Sequence, residues 1–122
     1  NDFTLQENLE YLRKMSNQPD SINLNYWYKF FEIEDYKNEK FKNLSLGTKQ
    51  KAGLIQAFMH QPDTYILDEP FNALDKNTVA KVQRFLIQQR DAGKLVIFTT
   101  HINDSILNKC DTVLEISEGE IL

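Results

Sequence analysis

Tyr65-Ile66-Leu67-Asp68-Glu69-Pro70 is the stretch on which the fold turns: an apolar run, two carboxylates, then a proline. A short continuous apolar run predicts a parallel strand buried on both faces. Pro70 has no amide proton to give to a ladder, so the strand stops before it. Open α/β sheets place their ligands beyond the carboxyl ends of the strands, where Asp68 and Glu69 fall. Upstream lies Leu44-Ser45-Leu46-Gly47-Thr48-Lys49-Gln50-Lys51. From Lys49 it runs into a helical pattern of Ala52, Ile55 and Met59, flanked by Leu54 and Phe58, that ends before Pro62. Downstream come Asn72-Ala73-Leu74-Asp75 and then a helical stripe of Val79, Val82, Phe85 and Leu86, closed near Gly93. A second buried strand, Leu95 to Phe98, leads to Thr99-Thr100-His101. One helix and one return strand fit between Asp68 and His101, which brings both to the same edge of the sheet.

The remaining chain is organised simply. Thr4-Leu5-Gln6-Glu7 reads as a capping box opening a helix with Leu5, Leu9 and Leu12, ended by Asn17-Gln18-Pro19. Ser21 is a plausible N-cap for a second helix carrying Ile22, Tyr26 and Phe30, with Trp27 and Phe31 beside them. Those aromatic residues suit either a core or a docking surface. Residues 32–43 are polar and predict a short helix or loop. Beyond His101, a short helix around Ser105-Ile106-Leu107, a third strand from Thr112 to Ile116, and a Glu118-Gly119 turn into Ile121-Leu122 are expected. The order is helical over residues 1–43, then strand, helix, strand, helix, strand over 44–122, which implies right-handed crossovers in a parallel sheet.

Composition excludes several classes. A chain of 122 residues fits one domain or part of a larger one. A net charge of -4 offers no basic patch, so no nucleic-acid partner is expected. The single Cys110 cannot form an internal disulfide, and no Cys/His spacing suits zinc, which fits a reducing cytosol. No apolar run approaches the roughly 20 residues of a membrane span, and the start Asn1-Asp2-Phe3-Thr4 lacks a signal-peptide pattern. A place at a membrane would therefore be that of a peripheral subunit.

The polar residues suggest nucleotide chemistry. Such a reaction needs one carboxylate for Mg²⁺, usually through water, and another to orient the attacking water. Asp68 and Glu69 are adjacent at a strand end, so they point differently and can divide those tasks. His101 at the neighbouring strand end could hydrogen-bond a γ-phosphate or that water. Ser45 and Gly47 precede a helix, whose N-terminus carries free amides and partial positive charge suited to an anion. Each feature alone also has a plain reading: an acidic turn, a loop histidine, a helix cap. Asp75 could equally be only the N-cap of the next helix.

Together and in this order, the motifs closely resemble the C-terminal half of an ABC-type ATPase: signature loop, Walker B strand, D-loop and switch histidine. The resemblance implies an α/β fragment of the P-loop NTPase kind, a helical subdomain over 1–43 followed by the α/β core over 44–122. It implies Asp68 on the Mg²⁺ side, Glu69 as general base, and His101 as the residue sensing γ-phosphate. Ser45 and Gly47 would grip the γ-phosphate of ATP held mainly by the opposite subunit, and Asp75 would sit in the loop crossing that interface. The signature departs from the common Leu-Ser-Gly-Gly-Gln form at Leu46 and Thr48.

The family's partners are a second ATP-binding domain, as homo- or heterodimer, and a transmembrane permease on whose cytoplasmic side the subunit lies. The likeness is greatest to bacterial exporters of antibiotics or peptides. The rivals are a non-transport ABC ATPase of DNA repair or chromosome maintenance, which usually carries a heptad segment absent here, and a silent interaction module. No Gly-x-x-x-x-Gly-Lys-Ser/Thr loop occurs. The chain then corresponds to the part of the family beginning just after its Q-loop glutamine, and is expected not to hydrolyse ATP alone. In the family's sheet the phosphate-loop strand lies between Leu95–Phe98 and Thr112–Ile116. Without it, either those strands should close directly or other polypeptide should fill the gap.

Overall fold

The computed structural model describes residues 2–101 and 105–121. Helix α1 spans Leu5–Lys14 and opens on the expected capping box. The Thr4 hydroxyl accepts from the Glu7 amide at 3.1 Å, and the Glu7 carboxylate accepts from the Thr4 amide at 2.9 Å. Helix α2, Leu24–Phe30, starts later than expected. Pro19–Ser21 is taken up in a 3₁₀ turn, where the Ser21 hydroxyl donates to the Gln18 carbonyl at 2.7 Å. Asn23 therefore replaces Ser21 as the cap, accepting from the Tyr26 amide at 3.1 Å. The polar stretch after α2 forms two 3₁₀ turns, Glu34–Tyr36 and Phe41–Asn43. Amides of Leu5 and Gln6 bind it to α1 through the Glu39 and Lys37 carbonyls, both at 2.9 Å.

Helix α3, Leu46–Phe58, begins before the apolar pattern does, because Ser45 caps it. Gly47 thus lies in its first turn and not in a loop ahead of it. Strand β1 is Thr64–Asp68, helix α4 is Lys76–Asp91, and strand β2 is Leu95–Thr99. Helix α4 ends as Gly93 foretold. Gly93 has φ +92°, and the amides of Gly93 and Lys94 donate back to the carbonyls of Arg90 and Gln89. That closure satisfies carbonyls which a helix end leaves without partners.

Strands β1 and β2 pair in parallel, from Thr64 opposite Leu95 to Asp68 opposite Thr99. Alternation divides them into two faces. Tyr65, Leu67, Val96 and Phe98 point to the core, whereas Ile66, Leu95 and Ile97 are 75, 55 and 48% exposed. The expectation of strands buried on both faces is corrected: among the described residues, the core covers one face only.

The third parallel strand is also corrected. Residues 112–115 are not strand. Ile116–Ser117, β3, pairs antiparallel with Glu120–Ile121, β4, across the expected Glu118-Gly119 turn. A strand is held by ladder bonds to a neighbour, and no described strand lies beside 112–115, where Val113 and Leu114 are exposed. Direct closure of Leu95–Phe98 on Thr112–Ile116 does not occur. The short helix beyond His101 is a 3₁₀ turn, Ser105–Lys109. Leu122 falls outside the described residues.

An aromatic nucleus joins the helices to the sheet. The rings of Phe58 and Phe85 stack at 4.4 Å, with Trp27, Phe31 and Tyr65 around Phe58. Burying rings of this size dominates core energetics. Trp27 and Phe31 are therefore core residues, while Tyr26 stays exposed.

Candidate functional site

The register of β1 and β2 makes Asp68 and Thr99 direct cross-strand partners. The Thr99 hydroxyl donates to Asp68 Oδ1 and accepts the Glu69 amide at 3.0 Å. A hydroxyl carries one proton, so giving it to Asp68 fixes Thr99 as the acceptor toward Glu69. Glu69 then leaves the strand with φ +50°. The left-handed conformation costs a residue with a Cβ roughly 1–2 kcal/mol, and it persists only where its surroundings impose it.

That turn brings Glu69 Oε1 to 3.2 Å from Nε2 of His101, whose side chain is almost fully exposed. A carboxylate only accepts, so the contact requires a proton on Nε2. Asp68, Glu69 and His101 thus meet at one sheet edge, the placement expected from a helix and a return strand between them.

Ser45 belongs to a separate group. Its Oγ accepts the Thr48 amide at 3.1 Å and lies 2.9 Å from the Thr48 hydroxyl. The amides of Leu46 and Gly47, next along the helix, have no carbonyl one turn earlier to bind. Leu46 projects into solvent, and Thr48 is buried. Gly47 is closely approached, but by this chain's own backbone: a Cβ there would meet the Ala73 carbonyl oxygen at 2.9 Å. Asp75 caps α4, accepting from the Thr78 amide at 2.8 Å. Bonds from that amide first, and from the Thr78 hydroxyl second, hold the carboxyl below the usual aspartate range.

Sequence reasoning missed the residues that hold these groups in place. Thr99 gains its role only from the register. Gln50 reaches across to donate to the carbonyls of Glu69 and Pro70, each at 3.1 Å. The polar turn after Lys49 carries no local sign of either contact.

Among the described residues, no group of three or more His, Cys, Asp or Glu could hold a metal ion. Mg²⁺ does not require one, since it takes one or two carboxylates, keeps waters, and completes its shell with phosphate oxygens. Asp68 has one oxygen engaged by Thr99 and sits at the open strand end, which fits that donor set.

The ABC transporter family matches residues 1–72, which include Ser45, Asp68 and Glu69. MJ1023 of Methanocaldococcus jannaschii, an uncharacterized ABC transporter ATP-binding protein, is 35% identical over 89% of this chain and 42% of its own length. The bacitracin transport ATP-binding protein BcrA of Enterococcus faecalis is 28% identical over 98% of this chain and 39% of its own. The spermidine/putrescine import ATP-binding protein PotA of Mycoplasmopsis synoviae is 39% identical over 73% and 20% respectively. The chain therefore spans less than half the length of these relatives. The dimeric structure of MJ0796, a bacterial ABC transporter cassette, matches with a TM-score of 0.78 at 26% identity, over 98% of this chain and 54% of that one. The α/β arrangement is that of ABC ATPase cassettes, a P-loop NTPase fold. With the motifs in order, their strand ends on one edge and the family matched over most of the chain, this protein belongs to the ABC transporter family.

Proposed function

We infer that the chain is the C-terminal portion of an ATP-binding subunit that hydrolyses ATP to drive an ABC transporter. The observation that carries this is the meeting of Asp68, Glu69 and His101 at one sheet edge, with Glu69 and His101 3.2 Å apart. Glu69 is the base that orients and deprotonates the attacking water, and His101 reads the γ-phosphate. Asp68 would hold Mg²⁺, and the ion, when bound, would neutralise charge on the phosphates. Ser45 and Gly47 present the start of α3 to ATP on a second ATP-binding domain, with Asp75 in the loop at that boundary.

Residues 1–43 form the subdomain facing the permease, and 44–122 the ATPase core. No described helix is long and apolar enough to cross a membrane; the subunit sits on the cytoplasmic face through its permease. Export of an antibiotic- or peptide-like substrate is supported by the likeness to the bacitracin protein along nearly the whole chain. The shorter match to an import protein argues that direction resides in the membrane partner.

In the intact subunit, Glu69→Gln is expected to keep ATP binding while hydrolysis falls about 100-fold or more, because an amide cannot act as base. His101→Ala lowers turnover with the fold unchanged. Near-normal hydrolysis in both variants removes these residues from the mechanism. The 122-residue chain itself should release no phosphate from ATP; steady release abolished by Glu69→Gln would contradict that.

A further inference from the structure

Helix α3 meets the turn after β1 at two points on one helical face, Gly47 and Gln50. At Gly47 the Ala73 carbonyl packs so closely that an added Cβ would meet it at 2.9 Å and force the backbone to shift. At Gln50 the side-chain amide reaches the start of the turn and donates to the carbonyls of Glu69 and Pro70, both at 3.1 Å. Both partners are acceptors, so the NH₂ must face them. Each anchor holds a non-glycine residue with positive φ, Glu69 at 50° and Ala73 at 62°. The turn's own bonds are long: 3.2 Å from the Asn72 amide to the Glu69 carbonyl and 3.4 Å from the Leu74 amide to the Phe71 carbonyl. Thr99 fixes the amide side of Glu69, and Gln50 fixes its carbonyl side.

We propose that Gln50 is a positioning residue for Glu69. It holds the left-handed turn that aims the carboxylate at His101, and ties that carboxylate through one helix to Ser45 and Gly47. The assignment rests on Glu69 being the base.

In the intact subunit, Gln50→Leu removes both donors at similar volume, whereas Gln50→Asn keeps the amide on a shorter arm. Gln50→Leu is expected to lower kcat about 10–100-fold, the scale of a misplaced reacting group, with KM for ATP and the unfolding midpoint nearly unchanged. Gln50→Asn falls between. In a Glu69→Gln background, Gln50→Leu adds no further loss, because it acts through that carboxylate. Independently of hydrolysis, amide exchange at Glu69 and Asn72 quickens about tenfold or more in Gln50→Leu, while Ile55 within α3 keeps its rate. Wild-type kcat with unchanged exchange overturns the proposal. Equal losses in both backgrounds also overturn it, since a merely structural residue behaves that way. Full turnover by Glu69→Gln alone overturns the base assignment, and the proposal with it, without any Gln50 variant.

Discussion

Gly47 and Gly53 share helix α3 but answer to opposite constraints. A Cβ on Gly47 would press on the Ala73 carbonyl at 2.9 Å, a backbone atom that cannot swing aside, whereas one on Gly53 meets nothing within 4 Å. Gly47→Ala should therefore destabilise by about 1–3 kcal/mol, the usual cost of overpacking. Gly53→Ala should stabilise by about 0.5–1 kcal/mol, since alanine loses less freedom in a helix. Urea unfolding of the two variants checks this, and shifts of the same sign would refute it. Sequence distinguishes these glycines poorly. Gly47 is legible as a place of close approach, but its neighbour Ala73 comes from a loop brought in by the fold. Asp68, Glu69 and His101 are legible because each apolar strand, half-buried as it is, runs on in sequence into polar residues at the same end of the sheet.

Among elements, those decided by local chemistry are readable and those decided by neighbours are not. The Thr4 and Asp75 caps and the Gly93 closure each rest on a few adjacent residues. The start of α2 lies later than its sequence pattern because Pro19 draws Ser21 into its own turn. The expected third parallel strand fails because residues 112–115, apolar at Val113 and Leu114, have no described ladder partner, and only Ile116 is paired, antiparallel to Ile121. The Asp75 cap carries a pH signature. Its carboxyl is held below the ordinary value of 3.8 by Thr78. Its contribution is therefore complete above that value and is lost as pH falls through the lower folded value. Asp75→Ala should cost about 1 kcal/mol near neutrality, with the gap from wild type shrinking below pH 3.8. Thermal unfolding across pH tests it; a gap as wide under strongly acidic conditions as at neutrality would count against the cap.

The whole molecule is lopsided. Its parallel sheet has two described strands, both edges, with Ile66, Leu95 and Ile97 bare on the outer face and Val113, Leu114 and Ile116 also bare. Apolar surface of this extent marks an interaction or aggregation site. The chain alone should self-associate at micromolar to millimolar concentration, and Ile66→Lys with Ile97→Lys should reduce association while leaving the circular dichroism spectrum intact. Light scattering that shows a monomer throughout would refute this. The pairing of Asp68 with Thr99 carries a different consequence. A slip of β2 by one residue turns Val96 and Phe98 out of the core and sets Phe98 or Thr100 opposite Asp68. Register is thus set by the core as much as by the strand ends: only the pairing that buries Val96 and Phe98 also places the Thr99 hydroxyl between Asp68 and the Glu69 amide.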